Sequence, residues 1–348
     1  MEYKNKYIKY KNKYLDVKKD IILNNEDQCI MNKILEELKL SKNLFLNFEI
    51  NDLTDYMNNL FFEYKVNNSD TLQYSHWLYN NQLLMSALPS NCEDIKHIVN
   101  INKIDMIISL RENDELYQKC IELESKPIFW RFRIPDFGYQ NAIDFKALID
   151  NVINYIYKTQ RKIMIHCLGG HGRTGSVMCS IIGILVILQQ DIFQKILSEL
   201  YKLNNSINKD CSKLESDNIL YKLIKENNIS NIEMLTEVIS NRVFLLSQIY
   251  VIFSLRKYRI TDNINYRENI HAIVVPETPA QNEMVIDVIK LFLREYLING
   301  KFNFDIVSTK PCNESKIKNT NFKNAWLCAK NIDIKTNFEN KKECNNKL

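Results

Sequence analysis

The residues best suited to chemistry lie together in the decapeptide 166–175, HCLGGHGRTG. The chain holds 7 glycines in 348 residues, and Gly169, Gly170, Gly172 and Gly175 all fall in this stretch, between and just after Cys167 and Arg173. Glycine loses more conformational freedom on ordering than any other residue, so such a cluster marks a backbone path that side chains resist. A glycine loop between a strand and a helix can turn successive N–H groups inward, and the helix adds its positive end. Leu168, Gly169, Gly170, His171 and Gly172 would then wrap a tetrahedral oxyanion. Arg173 would fork two N–H groups onto two of its oxygens, a geometry no lysine provides. Cys167, at the bottom of a bowl of positive potential, is favoured as the thiolate, a nucleophile aimed at the bound anion.

Spacing alone carries little weight, because 9 Cys and 10 Arg would place a Cys six residues before an Arg roughly 0.26 times by chance. The strand, loop and helix context makes this instance specific. A nucleotide-binding loop would need Gly-Lys-Ser/Thr, and no such lysine is present. A metal site from His166, Cys167 and His171 lacks the usual spacing and an obvious fourth ligand. A purely structural turn leaves the joint presence of Cys and Arg unexplained.

The elements that must position this loop are legible around it. Short apolar runs at 82–89, 105–110, 129–134 and 162–167 predict strands, and 141–159 (NAIDFKALIDNVINYIYKT) predicts a helix between the last two. Alternating strands and helices imply an α/β fold with a central mixed, partly parallel sheet flanked by helices. The runs SVMCSIIGILVIL and VFLLSQIYVIFSL, 13 residues each, fall short of the roughly 20 needed to span a bilayer and predict buried core helices. Residues 1–69 predict a helical extension, 203–269 a largely helical insert remote from the loop, and 299–348 an irregular tail. No secretory segment follows Met1 and no CxxC pair occurs, so free thiols in a reducing, intracellular compartment are expected. Net charge is +4, weak for a nucleic-acid partner, and none is expected. Seven lysines in the first 19 residues could touch a membrane, although a solvated helix packed on its own protein is the simpler reading.

HCLGGHGRTG resembles the HCxxGxxR(S/T)G signature of cysteine-dependent protein tyrosine phosphatases, closest to the dual-specificity branch. WLYNNQLLMSALP, KIDMIISLRENDE and FRIPDFG resemble that family's first strands and acid loop, and VPETPAQNEMV (275–285) resembles a closing helix of related phosphatases. The resemblance covers about 72–202 and 270–298, so a phosphatase domain is expected over 70–298. It implies a phosphoric monoester hydrolase acting on phosphotyrosine, with phosphoserine and phosphothreonine as further substrates, through a phosphocysteine on Cys167. A leaving oxygen needs a proton, and Asp136 of IPDFG supplies the acid. Asp136 follows one strand and Cys167 another, with a helix between, so a right-handed crossover opens both on one sheet edge. By resemblance Thr174 helps expel the thiol, His166 orients the loop and Gln281 supports the site. No metal or other cofactor is expected, since each phosphate charge finds a partner in the Arg173 cradle. A phosphorylated protein is the expected partner.

Rival readings stay open. Phosphoinositide phosphatases often carry lysines where Leu168 and His171 stand, and RNA 5′-triphosphatases carry an asparagine where Gly172 stands. A non-catalytic phosphoprotein-binding module would lack Cys167, Asp136 or Arg173. The N-terminal YKNKYIKYKNKYLDVKK resembles leader segments of proteins from large DNA viruses.

Overall fold

The computed structural model describes residues 29–34, 36, 67–68, 75–112, 120, 127–159, 161–189, 191–206, 219–259, 275–302 and 326–328. Its centre is a mixed sheet of β1 (Asn67–Asn68), β2 (Ser75–Leu78), β3 (Leu83–Ser86), β4 (Ile104–Ser109), β5 (Ile128–Phe132), β6 (Lys162–His166) and β7 (Trp326–Cys328), in the order β1-β2-β3-β6-β4-β5-β7. The inner strands β3, β6, β4 and β5 run parallel, and the outer pairs β1–β2, β2–β3 and β5–β7 are antiparallel. The four strands predicted from apolar runs are these four parallel ones.

Period-two alternation explains why the inner strands are apolar throughout. Leu83, Met85, Met106, Ile108, Ile163 and Ile165 enter one core, while Leu84, Ile107, Phe129 and Met164 enter a second on the opposite face. A strand buried on both faces has no polar side to show. The smaller core is covered by α1 (Cys92–Asn100), whose Ile95, Ile98 and Val99 pack onto it and whose cap, Asn91, accepts the Asp94 N–H at 2.9 Å. The larger core takes α2 (Ala142–Thr159), α3 (Gly172–Gln189), α4 (Asp191–Asn205), α5 (Ile219–Glu226), α6 (Ile232–Arg259) and α7 (Pro279–Asn299). Met31 and Ile34, in the helical residues 29–34, are buried in it as well.

Several expectations change on contact with the structure. Strand β2 is not among the apolar runs, although Trp77 and Leu78 open the stretch resembling the family's first strands; it joins β3 through a turn with three left-handed residues, Tyr79, Asn80 and Asn81 (φ 49°, 54° and 64°). Within the expected insert 203–269, the run 243–255 lies in α6 as the buried core helix read from it. It packs on α3 and α7, its Gln248 Nε2 donates to Val275 O (2.9 Å), and its Ser254 Oγ lies 2.9 Å from His76 Nε2 on β2. At 28 residues α6 also exceeds the 13-residue run read from sequence. It is long and apolar enough to cross a bilayer, yet it is mostly buried within the protein.

The expectation of free thiols is corrected at one pair. Cys92 and Cys120 form a disulfide with Cα atoms 5.3 Å apart, while Cys167 and Cys179 keep their thiols. Cys92 packs against the smaller core, which contains Cys120, an adjacency that a separation of 28 residues does not reveal. Most of the expected N-terminal extension, the polar part of the insert and nearly all of the tail lie outside the described residues.

Candidate active site

The parallel strands end on one sheet edge, and the candidate residues follow them there. Register places Ser86 of β3 and Ser109 of β4 on either side of His166, the last residue of β6. Leu110 N–H donates to His166 O and Leu88 N–H to Leu168 O, both at 2.9 Å, so the chains leaving β4 and β3 pin the two ends of the loop's first turn. His166 is fully buried, with Nδ1 3.0 Å from Cys167 O, a position that fixes the peptide after Cys167.

The loop then turns sharply. Gly170 has φ +75° and lies against the Ser86–Ala87 backbone, where a Cβ would approach Ser86 O to 2.6 Å. Only glycine meets both demands. The turn brings the Gly170 N–H to 3.2 Å from Cys167 Sγ, an inward-pointing amide that stabilises negative charge on sulfur. Cys167, Gly170, His171, Arg173 and Thr174 are buried, whereas Leu168 and Gly169 lie at the exposed lip. Helix α3 begins at Gly172, so its free N–H groups open toward the loop. The Thr174 hydroxyl is buried and has no hydrogen-bond partner among the described residues.

The acid loop arrives from β5. Although β4 separates β5 from β6, all three strands are parallel, and the loop after β5 reaches the cysteine loop as expected. Arg173 Nη1 donates to Ile134 O (3.3 Å), and Nη2 forms an ion pair with Asp136 Oδ1 at 2.7 Å. The guanidinium is almost fully buried, while the Asp136 side chain is 59% exposed. Phe137 follows in a left-handed conformation (φ 53°), unusual for a bulky residue, and the chain closes with Gly138 N–H donating to Pro135 O (2.9 Å).

The closing helix clamps this arrangement. Thr278 caps α7 by accepting the Gln281 N–H (3.2 Å), and Pro279 opens its first turn. Gln281 is fully buried. Its Nε2 donates to Gly138 O (3.1 Å), and its Oε1 accepts the Glu277 N–H (3.1 Å). It therefore ties α7 to the acid loop, a more definite role than packing on its own helix.

Sequence reading missed Glu277. A Cβ on Gly172 would collide with the Glu277 carboxyl oxygen, so this carboxyl lies on the loop's last glycine. Partial burial pushes the Glu277 carboxyl above its ordinary range, the nearby Asp136 carboxylate pushes it further, and Arg173 pulls the other way. The available signal was a carboxylate immediately before the Thr-Pro cap of the helix already read as closing the site. Among the described residues, no group of three or more His, Cys, Asp and Glu is arranged to hold a metal ion.

A thiol on an amide-lined loop, a buried guanidinium and a carboxyl on the loop after β5 converge at one edge of an α/β sheet, an arrangement suited to holding an oxyanion. Residues 72–202 match the family model described as PTP-SAK, a Swiss Army Knife protein, DSP-PTPase phosphatase domain. That stretch is thus similar to phosphatase domains of the DSP-PTPase type, which supports a phosphatase activity. The match includes Asp136 and the whole Cys167–Arg173 loop and stops short of α6, Glu277 and α7. No curated protein matches the chain.

Proposed function

We propose that the protein hydrolyses phosphate monoesters, phosphotyrosine in protein substrates above all, through a phosphocysteine on Cys167. The observation that carries this reading is the 2.7 Å contact of Asp136 with Arg173, which brings an acid from one loop onto the anion-binding group of the other. In the first step a dianionic phosphate replaces Asp136 on Arg173, the released carboxylate takes a proton from solvent, and the Cys167 thiolate attacks phosphorus. As the S–P bond forms, the bond to the leaving oxygen breaks and protonated Asp136 gives that oxygen its proton. Arg173 and the loop amides hold the remaining oxygens throughout. In the second step a water attacks phosphorus, Asp136 takes its proton, and the S–P bond breaks to return the thiolate. The buried Thr174 hydroxyl is suited to donating a hydrogen bond to the departing sulfur.

Exposed Phe137 and Tyr139 follow Asp136, and exposed Leu168 follows Cys167, so apolar surface flanks the entrance. An aryl ester suits such a lip, whereas the carboxylates of Asp136 and Glu277 disfavour densely charged phosphoinositides or triphosphate ends. The test is a side-by-side assay of phosphotyrosine peptides, phosphoserine peptides, phosphoinositides and 5′-triphosphate RNA, with Cys167→Ser as control. Preference for phosphotyrosine peptides, abolished by Cys167→Ser, is the expected result. Preferential turnover of the lipid or the RNA overturns the substrate assignment, and activity surviving in Cys167→Ser overturns the mechanism.

A further inference from the structure

The described phosphate-binding groups carry an unusual charge balance. Arg173 is buried and already paired with Asp136, and Glu277 lays a second carboxyl on Gly172, one residue away. The thiolate of Cys167 adds a third potential negative charge. Facing Glu277 are Asp136 from the acid loop and Arg173 from α3, both coupled to it electrostatically. Gln281 from α7 is the neutral neighbour, holding the Glu277 backbone N–H and keeping the residue in place. His171, elsewhere on the loop, packs beside Gly169. With all three acidic groups ionised, one guanidinium would face three negative charges before any phosphate arrives. Asp136 must carry a proton to serve as acid, but that proton is consumed on the leaving group and does nothing for Glu277.

We propose, resting on the phosphatase reading above, that Glu277 selects the incoming phosphate by charge: as the neutral acid it donates a hydrogen bond to a phosphate oxygen, and as the carboxylate it repels the dianion. Substrate and Glu277 therefore enter the loop sharing one proton, held on Glu277 or on a phosphate oxygen. With glycine at 172 the Glu277 carboxyl can lie on the loop, where a Cβ would meet it. The enzyme loses affinity for tetrahedral dianions as Glu277 ionises, through a group distinct from nucleophile and acid.

Sulfate is the suitable probe, because it stays dianionic across the working range and cannot supply the shared proton itself. Its binding is measured calorimetrically from pH 5 to pH 8 in the Cys167→Ser protein, which removes the thiol's own titration, and again with Glu277→Gln or Glu277→Asp added. Above the Glu277 transition the Cys167→Ser protein should lose affinity by about tenfold per pH unit. Glu277→Gln should flatten that slope and bind sulfate at pH 8 at least about tenfold more tightly, and Glu277→Asp should keep the slope. Equal pH dependence with Glu277→Gln overturns the proposal and leaves the phosphatase reading standing. Sulfate binding at no pH overturns both. Glu277→Gln in the otherwise native protein should raise kcat/KM for an aryl phosphate at pH 7.5 and leave its leaving-group dependence unchanged. A uniform loss of kcat at every pH would instead make Glu277 an acid–base group.

Discussion

Asp136 Oδ1 lies 2.7 Å from Arg173 Nη2, so the group proposed to protonate the leaving oxygen serves, before substrate binds, as counter-ion to the guanidinium that must take the phosphate. The acid is thereby stored at its point of use, and the phosphate must displace it. Replacing Asp136 by Ala should therefore have two opposite effects. Turnover of a poor leaving group should fall by roughly 10²–10⁴-fold, the usual worth of a positioned acid. Affinity for an oxyanion such as tungstate should rise, because Arg173 loses its competitor. The loss of turnover should shrink with a fluorinated aryl phosphate, whose leaving oxygen needs little protonation. Equal losses for good and poor leaving groups would remove Asp136 from the acid role, and Glu277, already beside Arg173, would be the next candidate.

Gln281 should act through that loop without touching the reacting atoms. Gln281→Ala leaves the Gly138 carbonyl and the Glu277 N–H without their side-chain partner, at a stability cost of about 1–3 kcal/mol. It should also lower turnover of poor leaving groups by letting Asp136 drift. In an Asp136→Ala background the same substitution should lower turnover little further, since the group it positions is gone. A double-mutant cycle on kcat reads this directly, and additive effects would assign Gln281 a role apart from the acid.

What sequence could and could not show follows from the range of each interaction. The strands at β3, β4, β5 and β6 and helix α2 announced themselves by local periodicity, and Cys167 and Arg173 by a loop whose glycines have no local alternative. Asp136 was reachable because topology alone sends its strand and that of Cys167 to one edge. Glu277 was marked only by standing before the Thr-Pro cap, since its contact with Gly172 spans more than a hundred residues and depends on how α7 docks. The Cys92–Cys120 pairing was invisible for a similar reason: nine cysteines without regular spacing leave the connectivity open. The apolar run 243–255 marked the middle of α6 as core, whereas its full length and its docking between α3 and α7 depend on contacts no local pattern carries.

Gly170 should tolerate no side chain. At φ +75°, with Ser86 O placed 2.6 Å from a would-be Cβ, Gly170→Ala combines left-handed strain with a clash against backbone that cannot rotate away. A loss of about 3 kcal/mol or more is expected. Denaturant unfolding should show it as a lower midpoint with an unchanged slope. Oxyanion binding should weaken in the fraction that stays folded, because the Gly170 N–H would leave Cys167 Sγ.

Asp150, far along α2 from the loop, should make stability depend on pH in the direction opposite to an ordinary paired carboxylate. Burial pushes its carboxyl from 3.8 up to about 6; Lys146, 2.8 Å away, pulls it down, and Glu295 pushes it up. Because the folded-state value lies above the unfolded one, the folded chain holds the proton more tightly. The stabilisation is complete below about pH 3.8 and is lost as the pH rises through about 6. Asp150→Asn is neutral at every pH and leaves Lys146 paired with Glu295 at 2.9 Å. The variant should gain on the native protein between pH 4.5 and pH 8 by about 2 kcal/mol, because about a third of the roughly 3 kcal/mol carried by two units is already gone at pH 4.5. Denaturant unfolding of both proteins at the two pH values measures this difference. Should Asp150→Asn instead lose stability relative to the native protein as the pH rises, the attraction to Lys146 outweighs burial and the assignment at Asp150 is reversed.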